Sequence, residues 1–288
     1  MVADTQQLGK TETKELTVTL VRHGRIAELI INGASTGQRK LNPMPPIMYP
    51  EMFERLQEFD ADRNLNVLVM HGAGEEAFTV GGDLRAVGPS LNNYQDVIER
   101  YWNPNTEPLS PWVIRLGLYS IDIKKPVIAA VKGYCLGVGL MIIGQHADLV
   151  VCSEDSTFGL TEIKRGLGGG TGARANLGRY IPFRLAMKLV LTGGSVGAAE
   201  AERTGLVNEV VPKDQVFARA WELAEEIAAM PPLPIRSEKE FLKRSLDLPY
   251  SQLVGYGDAM SILNQVSQDA KEGVSAFLEK RTPNFQGR

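Results

Sequence analysis

The residues of this chain that could do chemistry fall in three short stretches. FTVGGDL (78–84) ends in a glycine pair followed by Asp83. GYCLGVGLMIIGQHAD (133–148) carries Gly133, Gly137, Gly139 and Gly144 around an apolar run from Leu140 to Ile143. FGLTEIKRGLGGG (158–170) holds one carboxylate, Glu162, followed by Lys164 and Arg165. Glycines this dense let a ligand approach the backbone closely. Two glycine-rich turns can each present a main-chain N–H to one oxygen, and the second opens an apolar helix whose N-terminal dipole favours negative charge. A carboxylate on a neighbouring loop then accepts or returns a proton. The combination suits a reaction in which charge develops on an oxygen while a proton moves beside it.

Two further motifs fail on their context. GGGTGA (168–173) fits the dinucleotide pattern G-x-G-x-x-A, which should be answered by an acid about 20 residues on. Residues 173–199 contain no Asp or Glu. GGSVG (193–197) fits the nucleophile elbow G-x-S-x-G, which needs a histidine after the serine. His23, His71 and His146 all precede Ser195, so Gly193 and Gly194 are expected to end one helix and Ser195 to start the next. Three scattered histidines do not make a metal site. Cys135 and Cys152 lie in apolar surroundings and are expected as buried thiols. His146 is expected to cap or pack at a helix end.

The elements that must position these residues read as an α/β chain. LTVTLVRHG (16–24) and IAELIING (26–33) are two strands joined at Gly24, followed by a long Gly/Pro-rich loop at 33–50. Helical spacing at Met52, Phe53, Leu56 and Phe59 marks 51–64. Strands follow at 66–72, 126–133 and 147–153, with a helical stretch over 92–122 broken at NPNTEPLSP. This βα alternation points to an α/β architecture. Beyond about residue 180 helical periodicity dominates, apart from an extended LVNEVVP (206–212). The expected organisation is a polar leader over 1–15, an α/β core over 16–205 and a helical region over 206–288. At 288 residues, with 43% hydrophobic and 23% charged residues and a net charge of −3, the chain has an ordinary globular composition. Its charge argues against nucleic acid as a partner. No run reaches the roughly 18 apolar residues of a membrane span, and the leader lacks the apolar core of a secretory signal. A cytoplasmic location is expected.

In order along the chain, these stretches resemble the crotonase superfamily, the enoyl-CoA hydratases and isomerases, from about residue 16 to the end. IAAVKGYCLGVGL resembles that family's strand and glycine-rich helix start, and STFGLTEIKRGL its F-x-x-x-E segment. AMKLVLTGGSVGAAEAERTGLVNEVVP is similar to its "LTG … A … A … GLVN-x-VVP" stretch, and EGVSAFLEKRTPNF resembles its closing helix. TGARANLGRYIP departs from the family's common "GG-T-x-R-L" form.

The resemblance implies a crotonase (ClpP-like) fold, a spiral of repeated ββα units with a C-terminal helical region that assembles trimers or hexamers. It implies an acyl-CoA substrate, with coenzyme A entering only as part of that substrate, and the residues themselves point to no metal and no nucleic-acid or membrane partner. The backbone N–H groups of Gly82 and Val138 would form the oxyanion hole. Glu162 matches the second of the two glutamates that the hydratases carry. The first falls on Met141, or on Ile142 because the segment is one residue longer than usual. Both are apolar and are expected to line the substrate pocket. The family's isomerases work with the second glutamate alone, which makes double-bond isomerisation the expected reaction. Hydration with water held by backbone or by Gln145, other one-glutamate lyase chemistry, thioester hydrolysis and a non-catalytic acyl-CoA binder stay open. The CoA moiety is expected near the 33–50 loop, Gly81–Asp83 and the last helix. Arg39, Lys40, Lys280 and Arg281 are candidates for its phosphates, each equally readable as surface charge. Asp83 also reads as the cap of the next helix, and Lys164 or Arg165 as an ionic neighbour of Glu162.

Overall fold

The computed structural model describes residues 16–35, 39–87, 121–168 and 172–288. The leader over 1–15 and residues 92–120 of the expected helical stretch lie outside the described residues. A hairpin opens the fold: β1 (Thr17–His23) runs antiparallel to β2 (Ile26–Asn32), with Thr17 opposite Asn32 and His23 opposite Ile26. Four strands continue this sheet in parallel, namely β3 (Val67–Gly72), β5 (Val127–Val131), β7 (Leu149–Ser153) and β10 (Glu209–Val211). The order is β1-β2-β3-β5-β7-β10. VLVMHG and VIAAV are continuous buried runs, as strands covered on both faces require.

A second sheet lies across the ends of the first. It is built from β4 (Ala77–Thr79), β6 (Tyr134–Leu136), β8 (Thr157–Gly159) and β9 (Ser195–Gly197). Each long parallel strand is followed within a few residues by a short one and then by a helical turn. β3 and β4 lead to α2 (Leu84–Val87), β5 and β6 to α3 (Val138–His146), and β7 and β8 to a 3-10 turn (Glu162–Arg165). This repetition is the ββα spiral, and it delivers three successive helical starts to the same side of the small sheet. Ser195 belongs to β9 rather than to a helix, because its strand pairs antiparallel with β8, Gly159 facing Ser195.

The remaining helices are α1 (Met48–Ala61), α4 (Gly172–Tyr180), α5 (Phe183–Thr192), α6 (Ala198–Arg203), α7 (Val216–Ala228), α8 (Pro232–Ser245), α9 (Tyr250–Gln265) and α10 (Gln268–Glu279). α1 buries Met48, Tyr49, Met52, Leu56 and Phe59 in the main core. α7 covers the other face of the large sheet, where Val216, Ala220, Trp221 and Ala224 pack on Ile26, Val67, Val69, Ile128, Ala130 and Val151. Because β10 extends the sheet and α7 covers it, the α/β core continues past residue 205 to the end of α7. None of the described helices is long and apolar enough to cross a membrane.

Two buried ionic clusters hold these layers. Under α7, the carboxylate of Glu28 accepts from His23 Nε2 and His71 Nε2, each at 2.9 Å. Phe217 and Trp221 of α7 meet these two imidazoles edge-on. Neighbouring strands thus gather two of the histidines that are scattered in the sequence. At the starts of β5 and β7, Lys239 of α8 lies 2.6 Å from Asp148 and donates to the carbonyl of Lys125, also at 2.6 Å. Burial pushes the Lys239 ammonium down to about 8 against the pull of Asp148. Asp148 also accepts the Val127 N–H at 2.8 Å, so one carboxylate links the helix to the sheet. Beyond it, α8, α9 and α10 expose Leu242, Tyr250, Ile262, Leu263, Phe277 and Leu278.

Candidate active site

The first glycine turn follows β4. Met44 donates its N–H to Gly81 O at 2.8 Å and accepts the N–H of Asp83 at 2.9 Å. In such a parallel bridge the residue facing Met44, Gly82, turns its own N–H away from that partner. The second turn ends at Gly137, just before α3. Gly81 has φ +98°, and a Cβ there would sit 3.0 Å from Leu136 O and 3.4 Å from Val138 N. The two turns therefore lie back to back, with little room for a side chain between them. Val138 opens α3, and the first N–H groups of a helix have no acceptor within it. The positive end of the helix dipole lies at the same point.

Glu162 arrives from the third unit. Its 3-10 turn is closed by Gly166, whose N–H reaches the carbonyls of Glu162 and Ile163. The carboxylate lands against the α-carbon of Gly137, where a Cβ would lie 2.9 Å from Glu162 Oε1. Gly137 has φ 55° and ψ −116°, a backbone conformation essentially closed to L side chains. Both carboxylate oxygens of Glu162 are buried, and neither has a hydrogen-bond partner among the described residues. An uncompensated polar group of this kind is costly and calls for explanation. The nearest ionic partner is Arg174 of α4, with Nη2 3.6 Å from Oε1 and side-chain exposures of 17% and 15%.

A cavity of about 450 Å3 is lined by Gly81, Gly82, Asp83, Gly137, Val138 and Glu162 together with Tyr49 and Leu167. A larger cavity of about 670 Å3 lies between α3 and α8. Its buried cation Lys239 is already engaged by Asp148 and the Lys125 carbonyl. Among the described residues no group of three or more His, Cys, Asp or Glu is placed to hold a metal ion.

The structure brings Gly82, Val138 and Glu162, the three residues singled out for chemistry, to one wall. It separates the others. Met141 and Ile142 are buried in the main core and do not line this cavity. One turn into α3, the helix has passed behind the wall that its N-terminus forms. Gln145 accepts a hydrogen bond from Asn176 at 3.1 Å and also lies off the wall, so it is not placed to hold a water beside Glu162. Arg39 pairs with Glu76, and Lys40 donates to Gly33 O at 2.5 Å. Arg281 is held by Glu272 and Glu279 at the end of α10, where Lys280 adopts a left-handed cap. None of these four lines the cavity; its cations are Arg85 and Arg165. Asp83 lines the wall and accepts from the Arg85 N–H and guanidinium, as a cap does. Arg85 foremost holds the Asp83 carboxyl below its ordinary range, burial opposing it. Lys164 packs beside Gly193, and Arg165 donates to Thr161 O. The ionic neighbour of Glu162 is Arg174, which sequence reasoning passed over. Its one signal was the arginine of TGARANL, displaced by one residue from the family's T-x-R spacing.

Gly137→Ala is expected to cost roughly 1–3 kcal/mol through its backbone conformation and to push the Glu162 carboxylate aside. Thermal melting should show the loss, and turnover should fall in parallel. Gly197→Ala, at φ −82° with open space around it, serves as the neutral control.

Comparison with known proteins agrees with this geometry. The family model described as enoyl-CoA hydratase/isomerase matches residues 36–288. Carnitinyl-CoA dehydratase of Escherichia coli (strain SMS-3-5 / SECEC) is 32% identical over 273 residues, covering 93% of this chain and 98% of that one. (E)-benzylidenesuccinyl-CoA hydratase of Thauera aromatica is 32% identical over 271 residues, covering 94% and 99%. The crystal structure of an enoyl-CoA hydratase from Mycobacterium tuberculosis H37Rv superposes with a TM-score of 0.80 at 30% identity, covering 95% of this chain and 100% of that one. With two glycine turns meeting at one carboxylate inside a ββα spiral, and with likeness running over nearly its whole length, the chain belongs to the enoyl-CoA hydratase/isomerase family of the crotonase superfamily.

Proposed function

We propose that this protein moves the double bond of an enoyl-CoA thioester, using one carboxylate. The observation that carries the reading is Glu162: a buried carboxylate with no donor on either oxygen, set against the turn that opens α3. In this reading the thioester carbonyl oxygen lies between the N–H groups of Gly82 and Val138. Glu162 removes a proton from the α carbon of a 3-enoyl thioester. The C–H electron pair moves toward the carbonyl oxygen, where the two N–H groups stabilise the negative charge. The same carboxyl group then gives its proton to the γ carbon, the electrons return, and a 2-enoyl thioester results. Asp83, the other carboxylate among the described wall residues, is engaged by Arg85. The position one turn into α3 is filled by Met141. A second free carboxylate to activate water is therefore lacking among the described residues.

A second reading, hydration across the α,β bond, is favoured by the names of the relatives, a hydratase and a dehydratase at 32% identity. In either case coenzyme A belongs to the substrate, and the exposed apolar faces of α8, α9 and α10 suit assembly as a homotrimer or a dimer of trimers. The deciding experiment gives purified protein crotonyl-CoA and, separately, a trans-3-enoyl-CoA. Conversion of the 3-enoyl thioester alone is the expected result. Loss of crotonyl-CoA absorbance through water addition would overturn isomerisation in favour of hydration.

A further inference from the structure

We infer that Arg174 is a positioning residue for Glu162, holding the carboxylate by one oxygen from behind the cavity wall so that the other stays free for the proton. This rests on the reading of Glu162 as the acid and base. Arg174 Nη2 approaches Oε1 at 3.6 Å, both side chains are largely buried, and Glu162 lines the cavity whereas Arg174 does not. The guanidinium therefore acts on the carboxylate and not on the substrate. The contact is ionic and lies beyond hydrogen-bonding distance, so it orients the group without occupying either oxygen's lone pairs. Charge balance asks for it as well. A buried carboxylate that accepts no hydrogen bond pays its full desolvation cost unless a cation is near.

α4 is the element that makes this possible. Its first turn carries Arg174, and its second carries Asn176, whose side chain donates to Gly144 O at 3.2 Å and to Gln145 Oε1 at 3.1 Å. Those two bonds fix α4 against α3, the helix whose N-terminus supplies Val138. The charge that orients the carboxylate and one of the N–H donors at the oxyanion are thereby set on two helices fastened to each other. The displaced arginine of TGARANL thus has a definite task.

The test uses whichever thioester the wild-type protein turns over. Arg174→Ala is expected to lower kcat by roughly 10- to 100-fold, the scale of a mispositioned catalytic group, with KM almost unchanged. Arg174→Lys should recover part of the loss, and guanidinium chloride at tens of millimolar should partly restore Arg174→Ala. In a Glu162→Gln background, Arg174→Ala should cause little further loss, since its effect passes through the carboxylate. Arg174→Gln, close in bulk, provides a folded variant should the alanine form fail to fold. A raised KM at unchanged kcat, an undiminished loss in the Glu162→Gln background, or wild-type turnover would each overturn the proposal. Full activity of Glu162→Gln itself would instead refute the reading of Glu162, so the two failures are distinguishable.

Discussion

Glu162→Gln should lower turnover by orders of magnitude, to a small residual rate, and change the protein's stability far less. General acid–base catalysis contributes roughly 10²–10⁴-fold, and the amide can neither take nor return the proton, so kcat should fall on that scale. The stability half follows from the same carboxylate's surroundings. With no hydrogen bond to either oxygen, the substitution breaks none. It also replaces a buried carboxylate by a neutral group of the same shape, which is cheaper to bury, while Arg174 is left without its partner's charge, which works the other way. The two effects oppose each other, so the net change in stability should be small beside the loss of turnover. Acyl-CoA affinity should be unchanged, because the N–H groups of Gly82 and Val138 remain. Three measurements on one variant check this: turnover, the thermal midpoint and thioester binding. A lower midpoint by several degrees would mean that the carboxylate is a structural group.

At Glu28 the opposite outcome is expected. Glu28→Gln should destabilise the fold by about 3–5 kcal/mol, as breaking one side of a buried ionic cluster does, with activity per folded molecule retained. Burial raises the Glu28 carboxyl, but the hydrogen bonds and charges of His71 and His23 outweigh it and hold the group below its ordinary range. A carboxyl depressed in the folded state binds fewer protons there than in the unfolded chain. It therefore stabilises fully above the unperturbed value of about 4.3, and this contribution is lost as pH falls through the lower folded value. Denaturant melts of wild type and variant between neutral pH and pH 3 should show the gap narrowing on the acid side. A constant gap would mean that packing under Phe217 and Trp221, and not the carboxylate charge, sets the effect.

Local pattern carried much of this architecture. The buried runs of β3 and β5 and the spacing of α1 are visible because each buries a repeating face. The glycines at 81 and 137 are legible for a related reason: both hold backbone at positive φ, and at Gly81 the second main chain leaves little room for a side chain. Contacts made across the fold are what the sequence hid. Met141 and Ile142 were expected in the pocket because they fall where the family's first glutamate stands, yet α3 carries its first N–H to the wall and its next turn into the core. Arg174 lies 12 positions after Glu162 on another element, and no periodicity links them. The Glu28 cluster is equally invisible, since His23 and His71 meet only once β1, β2 and β3 are side by side. Ser195 looked like a helix start because its partner strand, β8, is short and far back in the chain.

The Lys239–Asp148 contact also has a temporal side. The Lys239 ammonium bonds the carbonyl of Lys125, 114 residues earlier, so this link closes one of the longest loops in the molecule. Loop closure costs entropy before the contact repays it, and chain synthesis runs from the N-terminus. Lys239 follows every strand of the large sheet in the chain, so the ammonium that bonds Lys125 is synthesised after all the strands it helps to hold. The link between α8 and the starts of β5 and β7 is thus a fastening of long reach, made by one side chain across 114 residues.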